Sequence, residues 1–205
     1  MMNQINHIIK KMNNYHPKFL GYRHEHAVLL PLVYWNNEWQ ILFEIRSHNI
    51  THPGEVSLPG GRVEKNETAL RASLRETYEE IGFPMERIKV LGEIDRIANG
   101  RRIVHCFVGI LEGFNKDELI INKDEVAEVF FKPLDYFLEN DARLFTFESE
   151  RRIGRDFPEN DFKNIDTQKL KTGVYEHVIP YYPAKEEIIW GLTAQIIQHF
   201  IDVIK

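Results

Sequence analysis

The chain has 205 residues, of which 43% are hydrophobic and 28% are charged, and this length is enough to bury a full core. Its formal net charge of -5 argues against a surface that coats nucleic acid, since nonspecific duplex binding needs several unopposed cations. The single cysteine, Cys106, excludes an intrachain disulfide and fits a reducing cytoplasm. We therefore expect one domain over residues 1–205 that acts on a small molecule in the cytoplasm, without nucleic acid or membrane partners.

The first segment, residues 1–20, predicts a short helical extension. Four apolar residues recur there at helical spacing: Ile5, Ile8, Ile9 and Met12. Polar residues interrupt them throughout, so the segment is neither a signal peptide nor a membrane span. We expect this amphipathic helix to lie on the domain or on a partner subunit.

Apolar runs then predict a series of strands. The first two, at residues 26–35 and 39–46, are joined across Asn36 and Asn37, and this turn-prone pair predicts a hairpin. Further strand candidates lie at 88–97, 101–111, 118–122 and 126–133. Together with the helical segments, these runs predict a mixed sheet between helices.

Three later segments complete the chain. A short helix is predicted from Pro133, and the spacing of apolar residues over 185–204 predicts a long, largely buried helix. Residues 148–171 turn polar, with charges of both signs and little periodicity. This excursion predicts either a mobile surface segment or a substrate lid or dimer contact.

The most informative segment is residues 61–83, which read GRVEKNETALRASLRETYEEIGF. At about 100° per residue, Glu76, Glu79 and Glu80 occupy an arc of roughly 100° on one helix face. A different face carries the apolar positions Leu70, Leu74, Thr77 and Ile81. Like charges one turn apart destabilise a helix, so the carboxylates need a cation. Hard oxygen ligands that converge from one face suit Mg²⁺ or Mn²⁺.

An isolated Glu-Glu pair more often only solvates an exposed helix face. Here the neighbouring residues favour a site, because Arg75 can pair with Glu67 or Glu79 and a Pro-Gly-Gly turn at 59–61 lies just upstream. Such a turn lets the backbone approach a ligand without a side chain in the way. Gly82 fits the position just past the helix end, where a left-handed conformation is favoured.

These spacings resemble the Nudix box, G-x5-E-x7-R-E-U-x-E-E-x-G-U, in which U is a bulky apolar residue. The match covers every charged and glycine position: Gly61, Glu67, Arg75, Glu76, Glu79, Glu80 and Gly82. Thr77 departs at the first U, but its methyl group can pack inward. The resemblance implies the α/β Nudix fold, an α/β/α sandwich with a mixed β-sheet. It also implies metal-dependent hydrolysis of a nucleoside diphosphate linked to another group.

The resemblance further implies roles for individual residues. The implied metal ligands are the catalytic carboxylates Glu76, Glu79 and Glu80 and the carbonyl of Gly60. Glu67 and Arg75 would hold the loop and the helix in register behind those ligands.

The box does not fix the general base, because Nudix enzymes differ in which carboxylate does that work. Glu128 is our first candidate for an extra catalytic carboxylate that faces the metals, and Glu125 is the second. Each fits a solvent-facing strand residue equally well.

Two segments outside the box resemble the coenzyme A diphosphatase branch of the family. Upstream, an apolar strand ends in Arg-Ser and an H-x-G-x-V stretch precedes the Pro-Gly-Gly turn: Arg46, Ser47, His52, Gly54 and Val56. Downstream, an I-W-G-x-T-A run matches at Ile189, Trp190, Gly191, Thr193 and Ala194. Predicted substrate contacts are Arg46, Ser47, His52 and Gly54. Arg101 and Arg102 would add bidentate phosphate contacts, unless they are solvated surface arginines.

The resemblance to this branch implies hydrolysis of the diphosphate bond of coenzyme A or acyl-CoA, with Mg²⁺ or Mn²⁺ as cofactor. The products would be 3',5'-ADP and 4'-phosphopantetheine or its acyl form. Two alternatives stay open: hydrolysis of ADP-ribose or another nucleoside diphosphate derivative, and a Nudix module that senses a nucleotide without cutting it. A homodimer is a further open prediction.

Overall fold

The computed structural model describes residues 2–16, 21, 24–100, 102–162, 173–183 and 187–205. The helices are α1 (Met2–Asn13), α2 (Ala69–Ile81), α3 (Leu134–Glu139) and α4 (Gly191–Ile204). The strands are β1 (His24–Trp35), β2 (Glu38–Arg46), β3 (Val56–Ser57), β4 (Gly60–Arg62), β5 (Ile88–Glu93), β6 (Ile97–Asn99), β7 (Arg102–Leu111), β8 (Val126–Pro133), β9 (Arg143–Arg151), β10 (Gly173–Pro183) and β11 (Ile188–Trp190). Short 3-10 turns lie at Met85–Arg87, Lys116–Glu118 and Glu159–Phe162.

A mixed sheet forms the centre of the molecule. Its strand order is β3-β2-β1-β7-β5, with β4 added to β1, β6 to β7 and β8 to β2. β1 and β7 pair in parallel, and the other ladders of this sheet are antiparallel. The predicted hairpin between β1 and β2 is confirmed, since Asn36 and Asn37 adopt φ values of 52° and 65°.

Helices cover both faces of this sheet. On one face, Ala72 and Ile81 of α2 pack in a core with Leu29 of β1. On the other face, side chains from α3 and α4, such as Phe137 and Ile197, form a second core. The predicted α/β/α sandwich with a mixed sheet is therefore confirmed.

Cys106 lies in the second core and is 1% exposed. Burial raises the pKa of its thiol to about 12. A thiol in this state is a poor nucleophile, so Cys106 is a packing residue.

A second, smaller antiparallel sheet of β9, β10 and β11 was not predicted from the sequence. The predicted polar excursion over 148–171 is partly wrong, because residues 148–151 complete β9 and pair with β10. Residues 159–162 form a 3-10 turn, and 163–171 lie outside the described residues.

The structure corrects two of the predicted elements. Residues 118–122 form no strand; instead the amides of Ile120 and Asn122 donate to the carbonyls of Ile81 and Glu80, 3.0 and 2.9 Å away. They satisfy carbonyls that the end of α2 leaves free. The last helix begins only at Gly191, whose φ of 62° separates it from β11.

The N-terminal helix forms as predicted but ends at Asn13. Its side chains remain exposed, including Ile8 at 52% and Met12 at 62%. Among the described residues the helix does not pack on the domain, which was one of the two predicted placements; the other, contact with a partner subunit, stays a prediction. None of the helices among these residues is long and apolar enough to cross a membrane.

Candidate metal centre and substrate cavity

The box helix α2 has defined signals at both ends. The hydroxyl of Thr68 accepts a hydrogen bond from the amide of Arg71 at 3.2 Å and so caps the N-terminus. Gly82 ends the helix with a φ of 72°. In between, Thr77 is fully buried and its hydroxyl donates to the carbonyl of Ser73 at 2.7 Å. The departure from the family pattern at Thr77 is thus accommodated inside the core.

Three carboxylates form a cluster at the edge of this helix. Glu76, Glu80 and Glu125 each place an oxygen within 4.8 Å of the others. Glu125 lies in the turn before β8, and its carbonyl accepts a hydrogen bond from the amide of Ser47 at 2.9 Å. Burial, with the charges of Glu76 and Glu125, raises the pKa of Glu80 to about 8, and burial also raises the pKa of Glu76. A divalent cation stabilises the ionised form of such a cluster.

Two glycines bring the Pro-Gly-Gly turn against the cluster. The amide of Gly60 donates to Oε2 of Glu80 at 2.8 Å, which fixes one oxygen of that carboxylate. A Cβ atom at Gly60 would meet the Cα atom of Val28 at 2.6 Å, and one at Gly61 would overlap the carboxyl group of Glu76. Contact with the backbone therefore requires glycine at position 60, whereas a side chain at position 61 would have to displace the carboxylate of Glu76. The predicted role of the Gly60 carbonyl as a metal ligand stays a prediction.

We expect Gly61→Ala to displace Glu76, because the added methyl group would occupy the position of its carboxylate. A displaced Glu76 carboxylate should lower kcat/KM about a hundredfold. It should also weaken Mn²⁺ binding measured by titration calorimetry. Gly92→Ala is the matched control, since a Cβ atom there meets nothing within 4 Å. Unchanged Mn²⁺ affinity in Gly61→Ala would contradict the expected displacement.

Arg75 links the carboxylates to the loop before the helix. Its guanidinium donates to both oxygens of Glu67 at 3.0 and 3.1 Å, and to Glu76 and Glu79 at 2.8 Å each. It also donates to the carbonyl of Arg62 at 3.1 Å. The hydrogen bond to Arg75 lowers the pKa of Glu67, while its carboxylate partners raise the pKa of Arg75. One cation thus offsets the like charges on this helix face.

Two of the predicted carboxylates lie outside the three-residue cluster. Glu79 is about half exposed, with its side chain 49% accessible, and is paired with Arg75. Glu128 is exposed on β8, opposite Ile45. The structure therefore brings Glu125, the second candidate for the extra carboxylate, into the cluster and leaves the first candidate, Glu128, outside it. The catalytic role of either residue stays a prediction.

Sequence reasoning missed a further carboxylate, Glu44 on β2. It is 2% exposed, and its Oε1 atom has no hydrogen-bond partner among the described residues. Burial, followed by the adjacent Glu80, raises its pKa well above the usual value. The only sequence signal was a single carboxylate in an otherwise apolar strand. An unpartnered buried oxygen beside Glu80 fits a site that holds a divalent cation.

A cavity of about 190 Å³ opens beside Gly60 and Gly61. Its wall is largely apolar and includes Val28, Leu58, Val104, Leu192 and Ile196, while His26, Arg46 and Arg102 supply its ionisable groups. Nδ1 of His26 is buried without a hydrogen-bond partner in the described chain. Burial, and then Arg102, lowers the pKa of His26, which favours its neutral form. The cavity therefore combines two cations with a neutral hydrogen-bonding ring.

The predicted substrate residues divide into two groups. Arg46 and Arg102 line the cavity, and their contacts with phosphate stay a prediction. Ser47 is buried, and its hydroxyl accepts from the amide of Asn49 at 3.3 Å, so it supports the loop. Arg101 lies outside the described residues.

His52 and Gly54 do not reach the cavity. They lie in an exposed turn with φ values of 59° and 75°, and Nδ1 of His52 is 3.2 Å from Glu55. The amide of Gly54 donates to the carbonyl of Arg46 at 2.9 Å. Within the described residues, the two therefore shape the loop beside Arg46.

The C-terminal run that resembles the branch closes the cavity. The hydroxyl of Thr193 donates to the carbonyl of Val56 at 3.0 Å, joining α4 to β3. Ile189 and Ala194 are fully buried, and Trp190 is 40% exposed. These residues hold the wall of the cavity in place.

Comparison with known proteins agrees with this arrangement. Residues 24–152 match the family model described as the NUDIX domain. The chain belongs to the Nudix family. Nudix hydrolase 3 of Caenorhabditis elegans is 30% identical, over 87% of this chain and 72% of that protein. The mouse peroxisomal coenzyme A diphosphatase NUDT7 is 32% identical, over 76% of this chain and 66% of that protein.

The fold is also shared with a solved Nudix structure. A MutT/nudix family protein from Enterococcus faecalis superposes with a TM-score of 0.51 at 16% identity, covering 98% of this chain and 69% of that one. Nudix hydrolases are diphosphatases that act on acid anhydrides and use divalent metal ions. This Nudix protein is accordingly a hydrolase of diphosphate bonds.

Proposed function

We propose that this Nudix hydrolase cleaves the diphosphate bond of coenzyme A or acyl-CoA with Mg²⁺ or Mn²⁺. One observation carries the proposal: the cluster of Glu76, Glu80 and Glu125 lies next to a cavity that holds two arginines. The similarity to the mouse coenzyme A diphosphatase adds support. We further propose that residues 1–205 act as a single Nudix domain in the cytoplasm.

The carboxylates of Glu76, Glu80 and Glu125 would hold the cation. When bound, a divalent metal lowers the pKa of a coordinated water and neutralises charge on the diphosphate. The amide of Gly60 keeps Glu80 oriented, and Arg75 keeps Glu76 oriented.

Arg46 and Arg102 would bind the phosphate oxygens that face the cavity, because a guanidinium presents paired donors to a phosphate. The apolar wall beside them would exclude water from the substrate. In the reaction, the oxygen of water bonds to one phosphorus, the bond from that phosphorus to the bridging oxygen breaks, the bridging oxygen leaves on the other phosphate, and a proton of the water is released. The products are 3',5'-ADP and 4'-phosphopantetheine or its acyl form.

The test is incubation of the protein with coenzyme A and Mg²⁺ or Mn²⁺, followed by chromatographic separation of the nucleotides. We expect equal amounts of 3',5'-ADP and 4'-phosphopantetheine, and no product in a parallel tube without metal. Cleavage of ADP-ribose or a dinucleotide without cleavage of coenzyme A would favour the alternative hydrolase. Nucleotide binding without cleavage of any of them would favour a sensing module, which the intact set of box carboxylates disfavours.

A further inference from the structure

Two polar side chains in the wall of the substrate cavity have an atom without a hydrogen-bond partner. His26 on β1 and Ser57 on β3 both line the cavity. Nδ1 of His26 and Oγ of Ser57 are buried, and neither has a partner among the described residues. Native structures contain few such atoms, because an unpaired buried polar group costs free energy. Rotation of either side chain toward a ligand breaks no hydrogen bond within the described part of the chain.

The other polar side chains of the cavity have different roles. The hydroxyl of Thr193 already donates to a backbone carbonyl at 3.0 Å. Arg46 and Arg102 carry the positive charge that suits phosphate oxygens. Burial, and then Arg102, lowers the pKa of His26, so its ring is the neutral neighbour of these two cations. His26 and Ser57 therefore suit a neutral polar group better than a phosphate.

The rest of the cavity wall is aliphatic. It is formed by Val28, Leu58, Val104, Leu192 and Ile196, and none of the described residues that line the cavity is Phe, Tyr or Trp. Proteins commonly hold nucleobases by stacking them on aromatic side chains, so this wall favours a branched aliphatic group over a base. At about 190 Å³, the cavity is smaller than the roughly 300–1,000 Å³ of pockets that enclose a whole ligand. It therefore admits one part of coenzyme A.

The pantetheine arm of coenzyme A has the chemistry that this cavity matches. Next to its phosphate, the arm carries a carbon with two methyl groups, followed by a hydroxyl and an amide. The methyl groups suit the aliphatic wall, and the hydroxyl and amide suit the donors and acceptors of His26 and Ser57. The position also fits, because the cavity opens beside Gly60, whose amide donates to Glu80 of the carboxylate cluster.

We propose that His26 and Ser57 bind the hydroxyl and the first amide of the pantetheine arm, which enters the cavity with its methyl groups against the aliphatic wall. Arg46 and Arg102 then contact the phosphate attached to this arm, and the adenosine end lies outside the cavity. The two residues thus select substrates with a pantetheine arm over other nucleoside diphosphate derivatives. This inference rests on the proposed cleavage of coenzyme A.

Two truncated substrates test which end of coenzyme A the cavity holds. In one, a methyl ester replaces the adenosine end, and in the other it replaces the pantetheine arm. We expect His26→Leu to lower kcat/KM about tenfold for coenzyme A and for the substrate that keeps the arm, the effect of one lost hydrogen bond. For the substrate without the arm, kcat/KM should stay within about twofold of the wild type. His24→Leu, at an exposed position of the same strand, is the matched control and should change none of the three rates.

Ser57→Ala is a second test that remains valid if His26→Leu does not fold, since it removes only a hydroxyl. We expect the same selective loss, about three- to tenfold. Equal losses for both truncated substrates, a loss confined to the one without the arm, or unchanged rates in both variants would overturn the assignment of the cavity while the wild type still cleaves coenzyme A. A wild type that does not cleave coenzyme A would instead reject the proposed function, and this inference with it.

Discussion

Glu80→Gln is expected to lower kcat/KM about a thousandfold, equivalent to about 4 kcal/mol of transition-state stabilisation. Glu80 is 6% exposed and lies in the cluster with Glu76 and Glu125. Glutamine keeps the size of the side chain and an oxygen that can accept from the Gly60 amide, but it removes the negative charge that a cation needs. Steady-state kinetics with the cleaved diphosphate substrate measures the effect.

A fold control separates this loss from unfolding. Glutamine should leave the thermal unfolding temperature of the metal-free protein unchanged or raised, because it removes a carboxylate from a buried group of like charges. Mn²⁺ binding should weaken in parallel with the rate. A variant that keeps a rate within tenfold of the wild type would remove Glu80 from the catalytic set.

The second large effect is expected at Glu125. Glu125→Gln should lower kcat/KM about a hundredfold, because it removes one of the three converging carboxylates. Glu128→Gln is the matched control, since it changes the same type of side chain three residues away, at an exposed position of β8. We expect its kcat/KM to stay within about twofold of the wild type, as for most exposed surface substitutions.

Comparing the two variants tests which residue is the extra catalytic carboxylate: Glu125, which lies in the cluster, or Glu128, which was the first candidate from the sequence. A large loss in Glu128→Gln with an unaffected Glu125→Gln would restore Glu128 as the extra carboxylate. Comparable losses in both would mean that the loop before β8 changes its position when substrate binds.

The sequence predicted those helices and hairpins that are defined by patterns among neighbouring residues. The box helix was predictable because its carboxylates and its apolar residues lie on separate faces and Gly82 ends it. The β1-β2 hairpin was predictable because Asn36 and Asn37 separate two apolar runs. By contrast, β9 and the first part of β10 are exposed on both faces, so they lack the alternation that marks a half-buried strand.

The site was less predictable where distant segments meet. The box indicated Glu76 and Glu80. The position of Glu125 in the cluster, however, depends on the turn before β8 and on the hydrogen bond that its carbonyl accepts from the amide of Ser47. That contact follows from the pairing of β8 with β2, which no local pattern reveals. Glu44 was not predicted for the same reason, because only the assembled fold places it beside Glu80.

The parallel ladder of β1 with β7 has a consequence for how the chain folds. It joins residues 24–32 to residues 102–110, and the box helix lies in the segment between them. Contacts so far apart in sequence close slowly, because the loop entropy is lost before the contacts form. Glu125 joins Glu76 and Glu80 only after such pairing. We therefore expect metal affinity to arise late in refolding, so that Mn²⁺ capture reports completion of the sheet and does not nucleate it.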